Sequence, residues 1–386
     1  MAVKFTKPEI NVREKLAELD KPSGIAGEAM LRAETPQEQN ELIGANLNNI
    51  IINGDFQVWQ RGTSFTTGNK YTADRWYLYG NGSTNETVTQ QTDVPENSGN
   101  SYSLRITAGG AYAGGNYAML RYKAEPKDLM KLNNAVGSTL QFWIKSDNPG
   151  LYTITFLQHR ISGSQRQISR TYTINSSDVW EFKTVTIPAD STVLYNANTN
   201  YLSIDWAYGK HTSYSSGTFN DHSWADNVTS NRQPAGQTNA MSASGKKFSI
   251  SGVQFVPGKY PSGLPHLHRS YGEELALCKR YFQKHGIGVS GYSNSSGSVI
   301  SFAFRFTPEM RAQPTVSINN TTFAFADTFV SMRNASSPSI SYNGFTQVSG
   351  SEVTGGELQI TQGTTTTSSN FQQLYSEDAI WFDGEI

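Results

Sequence analysis

The sequence predicts an all-β protein: a jelly-roll β-sandwich followed by a smaller C-terminal β-sandwich domain, with a short helical segment ahead of both. Three observations predict this. Aromatic residues are abundant, with 19 Phe, 19 Tyr and 7 Trp, while charged residues make up only 16% of the chain. Polarity is carried instead by Ser, Thr, Asn, Gln and Gly, which suit turns and solvated strand faces and fill helices poorly. Short apolar runs alternate with Gly/Asn/Ser-rich joints along most of the chain, as in sandwiches.

Residues 1–48 differ in texture: charges are dense and aromatics nearly absent. Between Pro8 and Asp20, the residues Ile10, Val12, Leu16 and Leu19 fit one stripe of a short helix loosely. Lys21-Pro22-Ser23-Gly24 breaks it. A second helix is expected from Thr35, an N-cap followed by Pro36 and by Glu38 three residues on, to about Gly44. Two short helices cannot bury a core alone. The segment reads either as a tail or as a docking peptide that orders on a partner, and the helix signals favour docking.

The second region, 49–270, supplies ten candidate strands: Ile50–Ile52, Trp76–Tyr79, Tyr102–Thr107, Ala118–Tyr122, Thr139–Lys145, Tyr152–His159, Arg170–Ile174, Glu181–Ile187, Tyr201–Tyr208 and Phe248–Phe255. That number over roughly 200 residues fits one two-sheet jelly roll. Leu104 with Ile106 and Phe142 with Ile144 alternate cleanly, whereas Phe182 with Val185 requires a slip. A long polar insertion, 210–245, interrupts the pattern, and loops of that length are functional or disordered.

The third region, 271–386, opens with a connecting helix over 271–284, where Tyr271, Leu275, Cys278 and Phe282 share a face. Strands resume at Val299–Phe306 and continue to Ala379–Phe382, with Asn343-Gly344 as a hairpin signal. Phe302, Phe304 and Phe306 alternate as core residues of this tip domain.

Several classes are excluded. Net charge is −1 with no Lys/Arg cluster, so neither a nucleic-acid footprint nor a polybasic membrane patch is present. No apolar run is long enough to span a bilayer, and the first residues lack the apolar core of a signal peptide. The single cysteine, Cys278, rules out an intrachain disulfide framework and reads as a small buried hydrophobe. Nucleophile-elbow, zinc-protease and phosphate-loop motifs are all missing, and no repeat period suggests a β-helix. The chain is therefore expected not to be an enzyme.

Within Asn49–Tyr79 stand Asn53-Gly54, Gln60-Arg61-Gly62 and Asp74-Arg75-Trp76; near the end of the sandwich stand Arg269-Ser270-Tyr271, Glu274-Leu275, Cys278 and Arg280-Tyr281. On these motifs, residues 49–285 resemble a phage tail-fibre and virion-appendage family with a jelly roll similar to carbohydrate-binding modules. The N-terminal segment also looks like the attachment segments of such fibres. The resemblance implies a virion protein, made in the host cytoplasm, that mediates attachment by binding surface glycans. It implies docking to a tail or adaptor protein through residues 1–48 and assembly as a homotrimer, which multiplies weak contacts. The alternatives are a head or collar decoration protein and a tailspike-like polysaccharide depolymerase.

The motif residues read as structural. Asn53-Gly54 permits a tight turn with positive φ, and Asp74 can satisfy a buried arginine or cap a turn. No cofactor is expected. A structural calcium near the first strand, as in some sugar-binding jelly rolls, would draw on Asp55 or Asp74. His266 and His268 project to one side of an extended chain, and ordinary packing is the preferred reading over a metal role. The glycan-binding candidates are Trp206, Tyr208, Tyr214, His222 and Trp224 in and beside the insertion, and Tyr292, Tyr342 and Trp381 in the tip domain. Flat rings suit the C–H faces of sugars, and polar neighbours suit their hydroxyls. For Trp206 a core position is the competing reading, because it continues a strand.

Overall fold

The computed structural model describes residues 49–385, apart from 67, 81–85, 113–116, 134, 161–162, 197–199, 286–288, 294–298, 319–323, 327–331, 335–338, 348–352, 362–370 and 376–379. The expected helices within 1–48 lie outside the described residues. Among the described residues, no helix is long and apolar enough to cross a membrane.

The chain is mostly β. The sandwich strands are β1 (Ser64–Thr66), β2 (Lys70–Tyr71), β3 (Trp76–Gly80), β4 (Thr87–Gln91), β5 (Ser103–Thr107), β6 (Ala118–Ala124), β7 (Gly137–Ser146), β8 (Gly150–Arg160), β9 (Arg166–Ile174), β10 (Glu181–Pro188), β11 (Asn200–Ala207), β12 (Ala225–Asp226) and β13 (Lys247–Pro257). They form a six-stranded sheet, β1-β4-β5-β13-β7-β10, and a seven-stranded sheet, β12-β9-β8-β11-β6-β3-β2. All the pairings are antiparallel, and the chain repeatedly crosses between the sheets, for example from β5 to β6 and back to β7. Nine of the ten expected sandwich strands are present; Ile50–Ile52 runs as buried irregular chain. The core lies between the sheets. Trp76, Trp206, Tyr122, Tyr152, Phe142, Phe156, Phe248 and Phe255 are among its largest fully buried side chains. The slip in β10 is resolved in favour of Val185, which is buried, while Phe182 turns outward against Trp143 at 5.2 Å.

The motif residues tie a knot at one end of the sandwich. Asn53, at φ 58°, donates from Nδ2 to the carbonyls of Val58 and Asp74, and its Oδ1 accepts from the Val58 amide. Positive φ therefore falls on Asn53. Gly54 is required by crowding, since a Cβ there would lie 2.0 Å from the Val253 carbonyl oxygen. Asp74 pairs with Arg61 at 3.0 Å and accepts from the Gln60 amide. Arg75, fully buried, pairs with Glu385 and stacks 3.4 Å from the Tyr281 ring centroid.

Three short α-helices occur among the described residues: α1 (Pro126–Leu129), α2 (Thr212–Ser215) and α3 (Tyr271–Lys279). Ser270 caps α3 in a capping box with Glu273. Helix α3 is shorter than expected, because Tyr281 and Phe282 leave it to be buried beside the last strand. Cys278 and Tyr281 cluster with Ile52 and Val58, whereas Tyr271 is 55% exposed and is not part of a buried face.

After α3 come β14 (Phe282–His285), β15 (Val289–Ser293), β16 (Val299–Met310), β17 (Thr315–Ile318), β18 (Ala324–Ala326), β19 (Met332–Asn334), β20 (Ser339–Gln347), β21 (Val353–Thr361), β22 (Phe371–Tyr375) and β23 (Ile380–Asp383). They build a three-stranded sheet, β14-β23-β17, and a seven-stranded sheet, β19-β18-β22-β15-β16-β21-β20. Phe304 and Phe306 of β16 pack on Phe382 of β23, with centroids 4.9 and 5.0 Å apart, joining the two sheets. Asn343-Gly344 does not make a hairpin. It sits within β20, where the register against β21 shifts between Tyr342 and Gly344, so the permissive dipeptide serves a bulge.

Candidate functional site

Strand parity decides which side chains leave the core. In β11, Leu202, Ile204 and Trp206 point into the core cluster, so Tyr201, Ser203 and Asp205 lie on the outer face of the seven-stranded sheet. In β6 the same alternation puts Arg121 and Lys123 outward, and in β3 it puts Tyr77 and Tyr79 outward. Register then aligns them. Tyr71 opposes Tyr77, Tyr77 opposes Arg121, Arg121 opposes Asp205, and Tyr201 opposes His159 of β8.

A bidentate ion pair holds the middle of this face: Arg121 donates from Nε to Oδ1 of Asp205 at 2.7 Å and from Nη2 to Oδ2 at 2.8 Å. Asp205 is buried, and the Arg121 guanidinium lies 4.2 Å from the Tyr79 ring centroid. Burial works to lower the Arg121 pKa, but the charge of Asp205 outweighs it and holds the group raised.

Half-buried rings surround the pair. Tyr201 and His159 stack at 4.1 Å with planes 7° apart, and His159 Nε2 lies 2.9 Å from the Ser203 hydroxyl. The Lys123 ammonium stands 5.6 Å from the Tyr77 ring and 5.9 Å from the Tyr201 ring. Tyr117 lies 5.2 Å from Tyr79 and 5.4 Å from Tyr214. Burial, aided by the charge of Arg121, brings His159 down to about 4, so its imidazole is neutral at pH 7. Tyr117 is pushed up to about 12, first by its hydrogen bond with Tyr79 and then by burial, so its hydroxyl stays protonated at neutral pH.

The insertion after β11 covers the other half of the same face. Thr153 donates to Gln237 Oε1 at 2.6 Å, Gln237 Nε2 donates to the Ala207 carbonyl at 3.0 Å, and Arg232 reaches Gln167 and Asn227. Arg232 also lies 5.5 Å from the Tyr214 ring, which makes Tyr214 a wall between the covered and open halves. The open half presents flat tyrosine rings beside hydroxyl, imidazole and ammonium groups. That combination suits the C–H faces and hydroxyls of a sugar.

The residues singled out from sequence are dispersed. Trp206 and Tyr208 are fully buried in the core and cannot meet a ligand; their strand parity turns them inward, and Tyr208 donates to Glu86. Tyr214 is buried, with 7% exposure, against Tyr117 at the edge of the open face. His222 is exposed beside Asp221 on the insertion. Trp224 packs partly on the core, donates from Nε1 to the Pro188 carbonyl, and lines a cavity of about 420 Å³ with Asn133, Gln158, Asp190 and Tyr195. Trp381 sits in the three-stranded sheet against Phe282, 5.4 Å between centroids. Tyr292 and Tyr342 lie on β15 and β20, and their side chains are outside the described residues. The rings that do gather, Tyr77, Tyr79, Tyr117, Tyr201 and His159, were missed. The available signal was a tyrosine or histidine in the polar register of an otherwise core-forming strand.

Asp55 and Asp74 take separate partners. Asp74 is engaged by Arg61 and the Gln60 amide, whereas Asp55 faces His266 and His268.

No protein-family model and no curated protein matches the sequence. Among solved structures, the enzymatically active domain of tailspike protein 4 from bacteriophage CBA120 aligns over 54% of this chain and 21% of its own, at 16% identity and a TM-score of 0.31. The present chain thus spans about a fifth of the length of that solved domain. TmCBM61 in complex with beta-1,4-galactotriose aligns over 54% of this chain and 99% of its own, at 11% identity and a TM-score of 0.28. The family 11 carbohydrate-binding module of Clostridium thermocellum Lic26A-Cel5E aligns over 51% and 96%, at 12% identity and a TM-score of 0.28.

Proposed function

We propose that this chain is a non-enzymatic phage virion appendage protein that attaches the particle to host surface glycans through the open half of its seven-stranded sheet. The observation that carries the glycan-binding reading is the cluster of Tyr77, Tyr79, Tyr117, Tyr201 and His159 around the Arg121–Asp205 pair. These half-buried rings sit on a rigid sheet and so are pre-organised, which limits the entropy lost on binding. Asp205, in the middle of the face, is held through both carboxylate oxygens, an arrangement suited to positioning rather than to proton transfer. Virion placement is supported by the motif resemblance over 49–285, and docking through residues 1–48 by their separate composition. A homotrimer would raise weak sugar contacts to firm attachment by effective concentration.

The test is retention of the purified chain on surface polysaccharide of the host, with its mass measured by light scattering. The expected result is a trimer mass, polysaccharide retained without cleavage, and at least tenfold weaker retention for the double variant Tyr77→Ala, Tyr201→Ala with an unchanged thermal midpoint. Undiminished retention by that variant would remove this face as the site, and release of reducing ends would establish an enzyme instead.

A further inference from the structure

Away from the aromatic face, the described residues contain one group of three metal-ligating side chains close enough to share an ion: Asp55, His266 and His268, whose ligand atoms all lie within 4.8 Å of one another. His266 Nε2 is 2.6 Å from Asp55 Oδ1, and His268 Nδ1 is 3.4 Å from Asp55 Oδ2. The two imidazoles stand edge to face with centroids 4.5 Å apart. We propose that these three side chains bind a divalent transition-metal ion of the zinc type, with a fourth position left to water.

The donor set decides the class of ion. Calcium takes six to eight oxygen ligands. Two imidazole nitrogens and one carboxylate oxygen match the open three-ligand sites of zinc, and imidazole favours zinc, copper and nickel generally. An ion would replace the hydrogen bond between His266 and Asp55, since in a tetrahedral site the ligand atoms need separations of roughly 3.3 Å. His268 Nδ1 and Asp55 Oδ2, at 3.4 Å, already meet this, so the pair that must open is His266 and Asp55, at 2.6 Å; His268 is the accessible ligand, its side chain 41% exposed against 7% for Asp55 and 11% for His266.

The surroundings hold the ligands in place. The extended segment carrying both histidines is clamped by two buried glutamines from the six-stranded sheet. Gln141 accepts from the Leu264 amide and donates to its carbonyl, while Gln254 accepts from the Leu267 amide and donates to the Pro265 carbonyl. Gln57 Nε2 donates to Asp55 Oδ2 at 3.0 Å, an outer-shell contact of the kind that orients ligating carboxylates. The neighbouring cation, Arg269, is engaged by Glu274 and by the carbonyls of Asn49 and Ile51. A bound ion would link the turn at 53–56 to the segment that leads into the α3 N-cap at Ser270.

The experiment is calorimetric titration of tag-free, chelator-treated full-length chain with ZnCl2 and, separately, with CaCl2. One zinc ion per chain is expected, with a rise in thermal midpoint that tracks zinc concentration, as mass action requires. His268→Ala, at a partly exposed position, is expected to fold and to bind zinc at least tenfold more weakly; Asp55→Asn is expected to do the same. His222→Ala, on the insertion, is expected to leave affinity unchanged. Absence of saturable zinc binding would overturn the proposal, as would full affinity in His268→Ala or a preference for calcium.

Discussion

The two sheets of the sandwich bury their inner faces alike and use their outer faces differently. Across the six-stranded sheet the outer face carries side-chain amides, Gln141 and Gln254, which hold an extended piece of the chain itself. Across the seven-stranded sheet, half of the outer face is covered by the insertion and half presents rings around Arg121–Asp205. One face therefore commits its buried amides to the chain itself, with Trp143 and Phe182 as its outward rings, and the other sets half-buried rings around a buried ion pair. The core and the outer face are separated by the parity of single strands: Trp76 and Trp206 point one way, Tyr77 and Asp205 the other.

This contrast can be broken by substitution. The largest effect is expected from Asp205→Ala, which leaves the Arg121 guanidinium unpaired in a mostly buried position. It should cost roughly 3 kcal/mol of stability by chemical denaturation and also weaken polysaccharide retention, because the pair positions Tyr79. Unchanged stability with unchanged retention would mean that the ion pair organises nothing. Next comes Gln254→Ala on the opposite face. It removes two part-buried hydrogen bonds made by a fully buried side chain and should cost about 2 kcal/mol while leaving retention untouched. A loss of retention there would show that the two faces are coupled.

The smallest effect concerns pH. His159 is held down to about 4, against an ordinary value near 6.5, so between these values the unfolded chain binds more protons than the folded one. Its contribution to stability is complete above about 6.5 and is lost as pH falls towards 4. Comparing thermal midpoints of wild type and His159→Gln at pH 7 and pH 4.5 isolates it. The wild type should lose more on acidification, and equal losses would contradict the assignment.

Much of the fold was legible in the sequence because core strands write themselves as alternation, as in Leu104 with Ile106 and Phe142 with Ile144. Strand β4 was not, since Thr87–Gln91 buries only Val88 and is otherwise polar. The expected continuation of α3 through Phe282 failed because helical spacing cannot distinguish one more turn from a strand that buries the same ring against β23. Five of the eight glycan candidates were drawn from 206–224, in and beside the insertion, where aromatics are dense in sequence, and the other three from the tip domain. Density does not report exposure: Trp206 and Tyr208 are dense and buried. The rings of the open face come from β3, β8, β11 and the approach to β6, and only register brings them together.

One feature of the knot has a mechanical consequence. Ile52 packs beside Cys278 and Tyr281, and Glu385 is bound by Arg75, which stacks on the same Tyr281. Tension applied between residues 52 and 385 is therefore resisted first by that small ionic and aromatic clasp.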